Sequence, residues 1–149
     1  MRFIADVMLG SLAKRMRLLG FDVLYDRTLD DNEIIRLSLE QNRIILTRDT
    51  ELAGRPLAAN HMLIKHDAVA DQIRQVLDTL LIRSVPGPLT RCSLCNEPLT
   101  PLPRREAKDH VPQYVYERYD DFLQCAKCER IYWKGTHVNR MGLKRLARK

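Results

Sequence analysis

Acidic residues recur at three places within the first 51 residues of this 149-residue chain. Asp6 interrupts the apolar run "RFIADVML", Asp30 and Asp31 begin "DDNEI", and Asp49 and Glu51 end the aliphatic stretch "RIILTRDTEL". A carboxylate inside an apolar strand costs free energy unless a charged partner meets it, and converging carboxylates repel one another unless a cation lies between them. Mg²⁺ and Mn²⁺ prefer oxygen ligands, and a bound ion can activate water and stabilise charge on a phosphate. The acids therefore predict a Mg²⁺ or Mn²⁺ site for phosphodiester hydrolysis.

Each of these carboxylates also has a structural interpretation. Asp6 could bond backbone amides at the end of its strand, and Asp49 could cap the turn that follows the aliphatic run. Asp30 fits a helix N-cap, because Glu33 three residues later completes a capping box. For the other two acids, residue type alone favours neither interpretation.

Basic residues accompany the acids and fit a polyanionic substrate. Arg48 adjoins Asp49, and its guanidinium could either contact the scissile phosphate or form a salt bridge that holds one of the acids in place. Lys14 and Arg17 belong to the first predicted helix, where they form mainly a solvated face with some attraction for phosphate. We therefore consider Arg48 for catalysis and the two helix residues for nucleic acid binding.

The chain has four cysteines in two Cys-x-x-Cys pairs: Cys92, Cys95, Cys125 and Cys128. Two such pairs predict a single tetrahedral zinc site to which each pair supplies two thiolates. A reducing compartment disfavours disulfides, and a thioredoxin-like role needs one such motif rather than two. Four thiolates leave no coordination position open, so this zinc would stabilise the fold and take no part in chemistry.

Basic and aromatic residues surround the second cysteine pair. Surfaces of this composition bind single-stranded RNA, because bases stack on rings while phosphates meet Lys and Arg. The alternative is that most of the rings fill the small core around the zinc. The predicted nucleic acid contacts in this region are Trp133, Lys134 and Arg140.

The first 83 residues alternate between strand and helix patterns. Apolar residues at helical spacing mark "GSLAKRMRLLG", "LDDNEIIRLSLEQN" and "DAVADQIRQVLDTLLI", and shorter apolar or alternating runs mark four strands. Alternation with short connections predicts an α/β fold, in which a parallel sheet is flanked by helices and the crossovers are right-handed. The acids would then lie at the carboxyl edge of the sheet, where ligands bind in open parallel sheets.

The composition changes at "RSVPGPLT", where two prolines flank a glycine. This break predicts a first domain of residues 1–84, a linker of residues 85–90 and a cysteine-bearing module of residues 91–149. Residues 1–90 are balanced in charge, so the net charge of +6 lies in the module. No apolar run approaches the roughly 20 residues that span a bilayer, and no secretory signal is recognisable, so we expect a cytoplasmic protein without membrane contact.

The ordered set of motifs resembles a known family. "FIADVMLGSLAKRMRLLGFDVLYDRTLDDNEI" is followed by "RIILTRDTEL" and later by "RCSLCNEPL" and "CAKCERIYWKGTHVNRM". Together they are similar to bacterial and archaeal proteins built on the Mut-seven C-terminal RNase domain, a compact PIN-like nuclease fused to a zinc ribbon. The resemblance spans nearly the whole chain and assigns residues 1–84 to the PIN-like nuclease domain and residues 91–149 to the zinc ribbon.

The resemblance also implies roles for the acids. PIN-like nucleases carry an acid after the first strand, another on a middle helix, and a Thr-x-Asp turn with a further acid close behind. Those places fall on Asp6, on Asp31 with Asp30 as the alternative, on Asp49 and on Glu51. The chain departs from the pattern in two respects: its first domain is shorter than a typical PIN domain, and its middle acid is aspartate where glutamate is commoner.

The resulting hypothesis is a metal-dependent ribonuclease that hydrolyses phosphodiesters in single-stranded or flexible RNA, with endonucleolytic cleavage implied by the resemblance. The expected cofactors are structural Zn²⁺ and catalytic Mg²⁺ or Mn²⁺. The main alternative is a non-catalytic RNA-binding or ribosome-associated protein that works through the ribbon, and a weaker one is a toxin held by an antitoxin. The sequence leaves open whether the protein forms a homodimer.

Overall fold

The computed structural model describes residues 1–135. The chain divides into two compact units, the first made of Met1–Met16 and Phe21–Arg83 and the second of Arg17–Gly20 with the residues from Ser84 onwards. The limits that the sequence suggests at residues 84 and 91 stay predictions. No helix within residues 1–135 is long and apolar enough to cross a membrane.

The first unit contains a four-stranded parallel sheet flanked by helices, which confirms the predicted α/β fold. The sheet has the strand order β2-β1-β3-β4. Ile4 pairs with Leu24 on one side and with Ile45 on the other, so β1 is a central strand. The central strands are apolar because they are covered on both faces. The strands are β1 Arg2–Ala5, β2 Asp22–Leu24, β3 Ile44–Thr47 and β4 His61–Leu63.

Short helices connect these strands. The start of the second helix agrees with the sequence: Asp30 Oδ1 accepts from the N–H of Glu33 at 2.8 Å, and the N–H of Asp30 donates to Glu33 Oε2 at 2.9 Å. This helix buries Ile34 and Ile35 in one core with Ile4 and Ile45 of the sheet. The helices are α1 Gly10–Leu18, α2 Asp31–Gln41, α3 Thr50–Ala53 and α4 Val69–Thr79, with 3-10 turns at Val7–Leu9 and Pro56–Ala58.

The second unit contains a three-stranded antiparallel sheet with β6 in the middle. Its strands are β5 Leu99–Leu102, β6 Phe122–Cys125 and β7 Ile131–Trp133, and the chain between β5 and β6 forms α5 Arg104–Ala107 and α6 Gln113–Arg118. One small core contains Leu89, Cys92, Cys125 and Tyr132, and a second contains Ala107, Val115 and Phe122. Two of the four cysteines are therefore part of the packing of this sheet.

Candidate active site and metal centre

The order of the strands singles out one edge of the parallel sheet. The chain passes from β1 to β2 on one side, and β3 lies on the other side of β1. The carboxyl ends of β1 and β3 therefore meet where the strand order reverses, which is the usual place for a ligand in open α/β sheets. Asp6 follows β1 directly, and Thr47 is the last residue of β3. We call the group of Asp6, Asp31, Thr47 and Asp49 the acidic edge.

Asp6 is buried, with 5% of its surface exposed. The apolar run suggested that Asp6 lies inside the first strand. The strand instead ends at Ala5, and Asp6 caps the 3-10 turn that begins at Val7. Its Oδ1 accepts from the N–H of Val7 at 2.6 Å, and its own N–H donates to the carbonyl of Leu46 at 2.9 Å. The capping interpretation of Asp6 is therefore correct, and it occupies only one of the two carboxylate oxygens.

Thr47 connects Asp6 to Asp49. Its side chain is fully buried, and its Oγ1 donates to Oδ2 of Asp6 at 2.9 Å while accepting from the N–H of Asp49 at 2.9 Å. The hydroxyl of Thr47 thus holds the carboxylate of Asp6 and the backbone of Asp49. Thr47 was not among the predicted site residues, although the Thr-x-Asp arrangement of "TRD" contained the signal.

Asp49 begins α3 as its N-cap. Its Oδ1 accepts from the N–H of Glu51 at 2.8 Å and from that of Leu52 at 3.4 Å. The exposed side chain of Glu51 lies in the first turn of this helix. Capping therefore fixes Asp49 beside Thr47, whereas the role of Glu51 as a further acidic ligand stays a prediction.

Asp31, the first residue of α2, joins the acidic edge electrostatically. Its pKa is raised, first because the carboxyl group is partly desolvated and then because the negative charges of Asp49 and Asp6 repel its ionised form. The positive charge of Arg55 lowers the pKa of Asp31, and the negative charge of Asp30 raises it by the smallest amount of all. Because Asp30 is engaged in the capping box, Asp31 is the better candidate of the two for the middle acid.

Arg48 and Arg55 supply positive charge around these acids. Nη2 of Arg48 lies 2.7 Å from Oδ1 of Asp67, whose side chain is 93% exposed, so this ion pair contributes little. Arg48 thus has an acidic partner, but not one of the predicted ligands. Arg55, which the sequence analysis did not name, donates from Nη2 to Oδ1 of Asn32 at 2.6 Å and lowers the pKa of Asp31. No local pattern marks Arg55, since it is far from Asp31 in the chain.

The two basic residues of α1 differ in their surroundings. Lys14 is exposed, as expected. Arg17 is only 4% exposed, and within the second unit its Nη1 donates to the carbonyls of Ser93 and Leu94 at 2.9 and 3.1 Å. The expectation that Arg17 lies on a solvated face is therefore wrong, because its side chain is buried and its charge meets backbone carbonyls. Its contact with RNA stays a prediction that this burial disfavours.

The four cysteines converge in the second unit. The Sγ atoms of Cys92, Cys95, Cys125 and Cys128 all lie within 4.8 Å of one another. The Sγ atoms of Cys92 and Cys128 are 3.7 Å apart. Two ligands of a tetrahedral zinc ion lie about 3.8 Å apart when each Zn–S bond is about 2.3 Å long. The donor set and its spacing therefore fit a structural zinc ion held by these four residues.

Hydrogen bonds and crowding distinguish the thiols from one another. Burial alone would raise the pKa of Cys92, but the hydroxyl of Tyr132, 3.1 Å from its Sγ, and nearby backbone N–H groups lower it to about 7. The pKa of Cys95 is raised to about 12, by burial first and then by the hydrogen bond and charges of neighbouring thiols. A cation among these groups would favour their ionised forms, so the site is suited to a metal ion.

The carboxylates of the acidic edge are further from one another than the four thiols are. Within residues 1–135, the four cysteines are the one set of three or more His, Cys, Asp or Glu side chains already close enough to share an ion. The oxygens of Asp6, Asp31 and Asp49 are still the hard donors that Mg²⁺ and Mn²⁺ prefer, and a divalent cation would relieve the repulsion acting on Asp31. The donor set therefore fits such an ion.

The residues predicted to contact RNA lie partly in the second unit. Trp133 is half-buried against one of the two small cores, whereas Lys134 is exposed. Trp133 lines an open groove of about 580 Å³ together with Arg130 and His110. A ring beside cations suits the stacking of a base and the binding of its phosphate. Arg140 lies outside the described residues.

Comparison with known families gives one clear finding. A family model described as the Mut7-C RNAse domain matches residues 1–144, nearly the whole chain. This match confirms the resemblance seen in the sequence motifs. No curated protein and no solved structure matches the chain.

Proposed function

This chain belongs to the Mut7-C RNAse domain family, and we propose that it is a metal-dependent endoribonuclease that cuts single-stranded or flexible RNA. The family assignment indicates a ribonuclease-type hydrolase with RNA as its substrate. The dependence on Mg²⁺ or Mn²⁺, the endonucleolytic mode and the preference for unpaired RNA are parts of the proposal.

The shared hydroxyl of Thr47 is the observation that carries the proposal. It binds the carboxylate of Asp6 and the backbone of Asp49, so the acids that follow β1 and β3 lie together where the strand order reverses. Asp31 is close enough for both charges to raise its pKa. The repulsion that raises the pKa of Asp31 does not help the protein to fold, and perturbed acids at a ligand-binding edge are typical of a functional site.

Three acids would hold the catalytic ion, with Asp30 and Glu51 as further candidates. A bound Mg²⁺ or Mn²⁺ ion supplies an activated water molecule and positive charge for the phosphoryl oxygens. Thr47 keeps the carboxylate of Asp6 oriented, and the capping of α3 keeps Asp49 in place, so much of the site is ordered before RNA binds. The three acids are Asp6, Asp31 and Asp49.

Two arginines are candidates for the phosphate contact. The charge of Arg55 acts on the carboxyl group of Asp31, so a phosphate bound at the acidic edge would come under the influence of the same guanidinium. Arg48 would have to leave Asp67, an exposed partner that holds it weakly. We therefore assign this contact first to Arg55 and second to Arg48, since a guanidinium can bind two phosphate oxygens at once.

The four-cysteine module would bind RNA rather than cut it. Its zinc ion would contribute to folding, and the reducing cytoplasm would keep the thiols available for the metal. Trp133 and Lys134 offer a ring and a charge for an unpaired stretch of RNA. This division of roles places cleavage in the first unit and additional affinity in the second.

Cleavage of a labelled single-stranded RNA in the presence of Mn²⁺ tests the proposal. Asp6→Asn and Asp49→Asn should abolish cleavage but retain RNA binding, whereas Asp78→Asn, at an exposed acid of α4, should cut like the wild type. Wild-type protein that holds zinc but is given no Mg²⁺ or Mn²⁺ should cut no RNA, and added Mn²⁺ should start cleavage. If the wild type with Mn²⁺ binds RNA but cuts none of any structure, the protein is a non-catalytic RNA-binding protein and the proposal is wrong.

A further inference from the structure

An open groove of about 530 Å³ lies in the first unit beside α2. One wall is a face of that helix with Ile35 and Leu39, and the other is the 3-10 turn with Pro56 and Leu57. Leu39 is 59% exposed and Leu57 is 67% exposed. Two large exposed leucines in one groove give it apolar walls on which a ligand can pack.

The groove adjoins the acidic edge through Arg55 and Asn32. Both residues line the groove, and Nη2 of Arg55 donates to Oδ1 of Asn32 at 2.6 Å. Asn32 directly follows Asp31 at the start of α2, so this hydrogen bond places the guanidinium of Arg55 beside a residue that adjoins the acidic edge. The apolar walls of the groove therefore begin next to the acidic edge, and Arg55 lies between the two.

We propose that this groove, lined by Ile35, Leu39, Pro56 and Leu57, holds the base of an unpaired nucleotide next to the phosphate that is cleaved. The inference rests on the proposed nuclease function and names the part of the substrate that the site recognises. The base would pack against the leucines, while Arg55 would meet the phosphate on the side of the acids. The volume falls within the roughly 300–1,000 Å³ range of sites for small ligands, which suits a nucleotide.

Charge favours a nucleotide over an apolar segment of a partner protein. A strand of RNA carries a phosphate at every step, and Arg55 lies at the end of the groove where Asn32 follows Asp31. Arg36 also lines the groove, but the carboxylate of Glu40 lies 2.9 Å from it on the same helix and offsets its charge. Arg55 is hydrogen-bonded to the neutral amide of Asn32, so it is the main cation for the phosphate. An apolar protein segment would cover the leucines without matching this charge.

The chemistry of the lining limits what the groove can distinguish. A base in a duplex is stacked and paired and cannot enter a groove of this kind, so cleavage would require an unpaired nucleotide at this position. Aliphatic walls contact the face of any base, and they offer no set of donors and acceptors that reads its edge. The groove would therefore select unpaired RNA with little preference among the four bases.

A double-mutant cycle between protein and RNA tests this assignment. One partner is the variant Leu39→Ala/Leu57→Ala, and the other is a single-stranded RNA that carries one abasic nucleotide beside the cleaved bond. With wild-type protein, the abasic substitution at one position should lower kcat/KM about tenfold, as expected for the loss of one base contact. With intact RNA, kcat/KM of the variant should also be about tenfold lower than that of the wild type. The abasic substitution should then lower kcat/KM of the variant little further.

Controls separate the groove from general effects on the fold. Leu81→Ala, at a leucine that is 79% exposed beyond the end of α4, should behave like the wild type. Circular dichroism should show a folded variant, since Leu39 and Leu57 are both on the surface. Additive losses, or a variant that cuts intact and abasic RNA like the wild type, would overturn the assignment.

The same cycle can be measured by binding, which keeps this inference distinct from the proposed function. Fluorescence anisotropy in buffer without Mg²⁺ or Mn²⁺, and without a chelator that would remove the zinc, reports RNA affinity without cleavage. A wild type that shows the non-additive pattern in binding but never cuts RNA would contradict the nuclease and support the groove. A wild type that cuts RNA but shows no such pattern in binding or cleavage would support the nuclease and reject the groove.

Discussion

The hydroxyl of Thr47 donates to Oδ2 of Asp6 at 2.9 Å, and both side chains are buried. This contact joins the carboxyl ends of β3 and β1, so it belongs to the sheet as well as to the acidic edge. A buried carboxylate oxygen without a donor is costly, because it loses its water and gains no partner. The geometry of the proposed active site is thus tied to the stability of the sheet.

Thr47→Val should destabilise the protein by about 2–3 kcal/mol and lower kcat/KM for RNA. Valine keeps the shape of threonine but leaves Oδ2 of Asp6 and the N–H of Asp49 without their shared partner. Thr47→Ser keeps the hydroxyl and should stay closer to the wild type in both properties. Urea unfolding followed by circular dichroism gives the stabilities, and equal stability of the two variants would show that the hydroxyl is unimportant.

Asp31→Asn should stabilise the metal-free protein at neutral pH by less than about 1 kcal/mol, since the group is partly exposed. Folding raises the pKa of Asp31 above its ordinary value of 3.8, so the folded state binds this proton more tightly. The favourable contribution is present below pH 3.8 and is lost as the pH rises through the raised pKa. Between pH 3.8 and the raised pKa, the stability of the wild type should therefore decline more than the stability of the variant.

Thermal melts from acidic to neutral pH, in buffer without Mg²⁺ or Mn²⁺, measure this difference. Asp78→Asn removes an exposed acid of α4 and should leave the pH profile of the wild type unchanged. Added Mn²⁺ should reverse the ranking at neutral pH, because an ion that binds the folded state stabilises the protein that retains its ligand. Identical pH profiles for the wild type and Asp31→Asn would contradict the placement of Asp31 beside Asp6 and Asp49.

Tyr132→Phe should weaken zinc binding about tenfold, as is typical for the loss of a group that supports a metal ligand. The hydroxyl lies 3.1 Å from Sγ of Cys92 and accepts from the N–H of Ser93 at the same distance. Without it the pKa of Cys92 should rise, so protons compete better with the metal and the loss grows below neutral pH. Competition with a chromophoric chelator measures the affinity. Tyr114→Phe, at a residue that is 68% exposed, is the control, and equal affinities for the two variants would refute this role.

The positions of Asp6 and Asp49 could be predicted because they depend on the order of elements along the chain. Strands that alternate with short helices form a parallel sheet with right-handed crossovers, and acids within two residues of the ends of apolar strands then reach the same edge. The capping box of Asp30 and Glu33 was equally predictable, since its two residues are three apart. Local patterns therefore revealed the fold and the places of two acids.

Arg17 and Arg55 could not be placed from the sequence, because their partners are distant in the chain. A cation on an amphipathic helix suggests a solvated face, whereas Arg17 donates to carbonyls in a loop that bears cysteines. Arg55 meets Asn32 only once α2 and the turn after α3 have packed in the folded first unit. Such long-range polar contacts leave no periodicity in the residues around them.

Asp6 and Asp31 should respond in opposite ways to selection for stability. Asp6 caps the turn after β1 with one oxygen and accepts from Thr47 with the other, so most replacements would weaken the fold. The carboxylate of Asp31 is repelled by its neighbours, so replacing it would strengthen the fold and remove a proposed ligand. A random library screened for heat resistance alone would discard changes at Asp6 and enrich changes at Asp31. Directed evolution of a robust form of this protein would therefore have to screen for activity in every round.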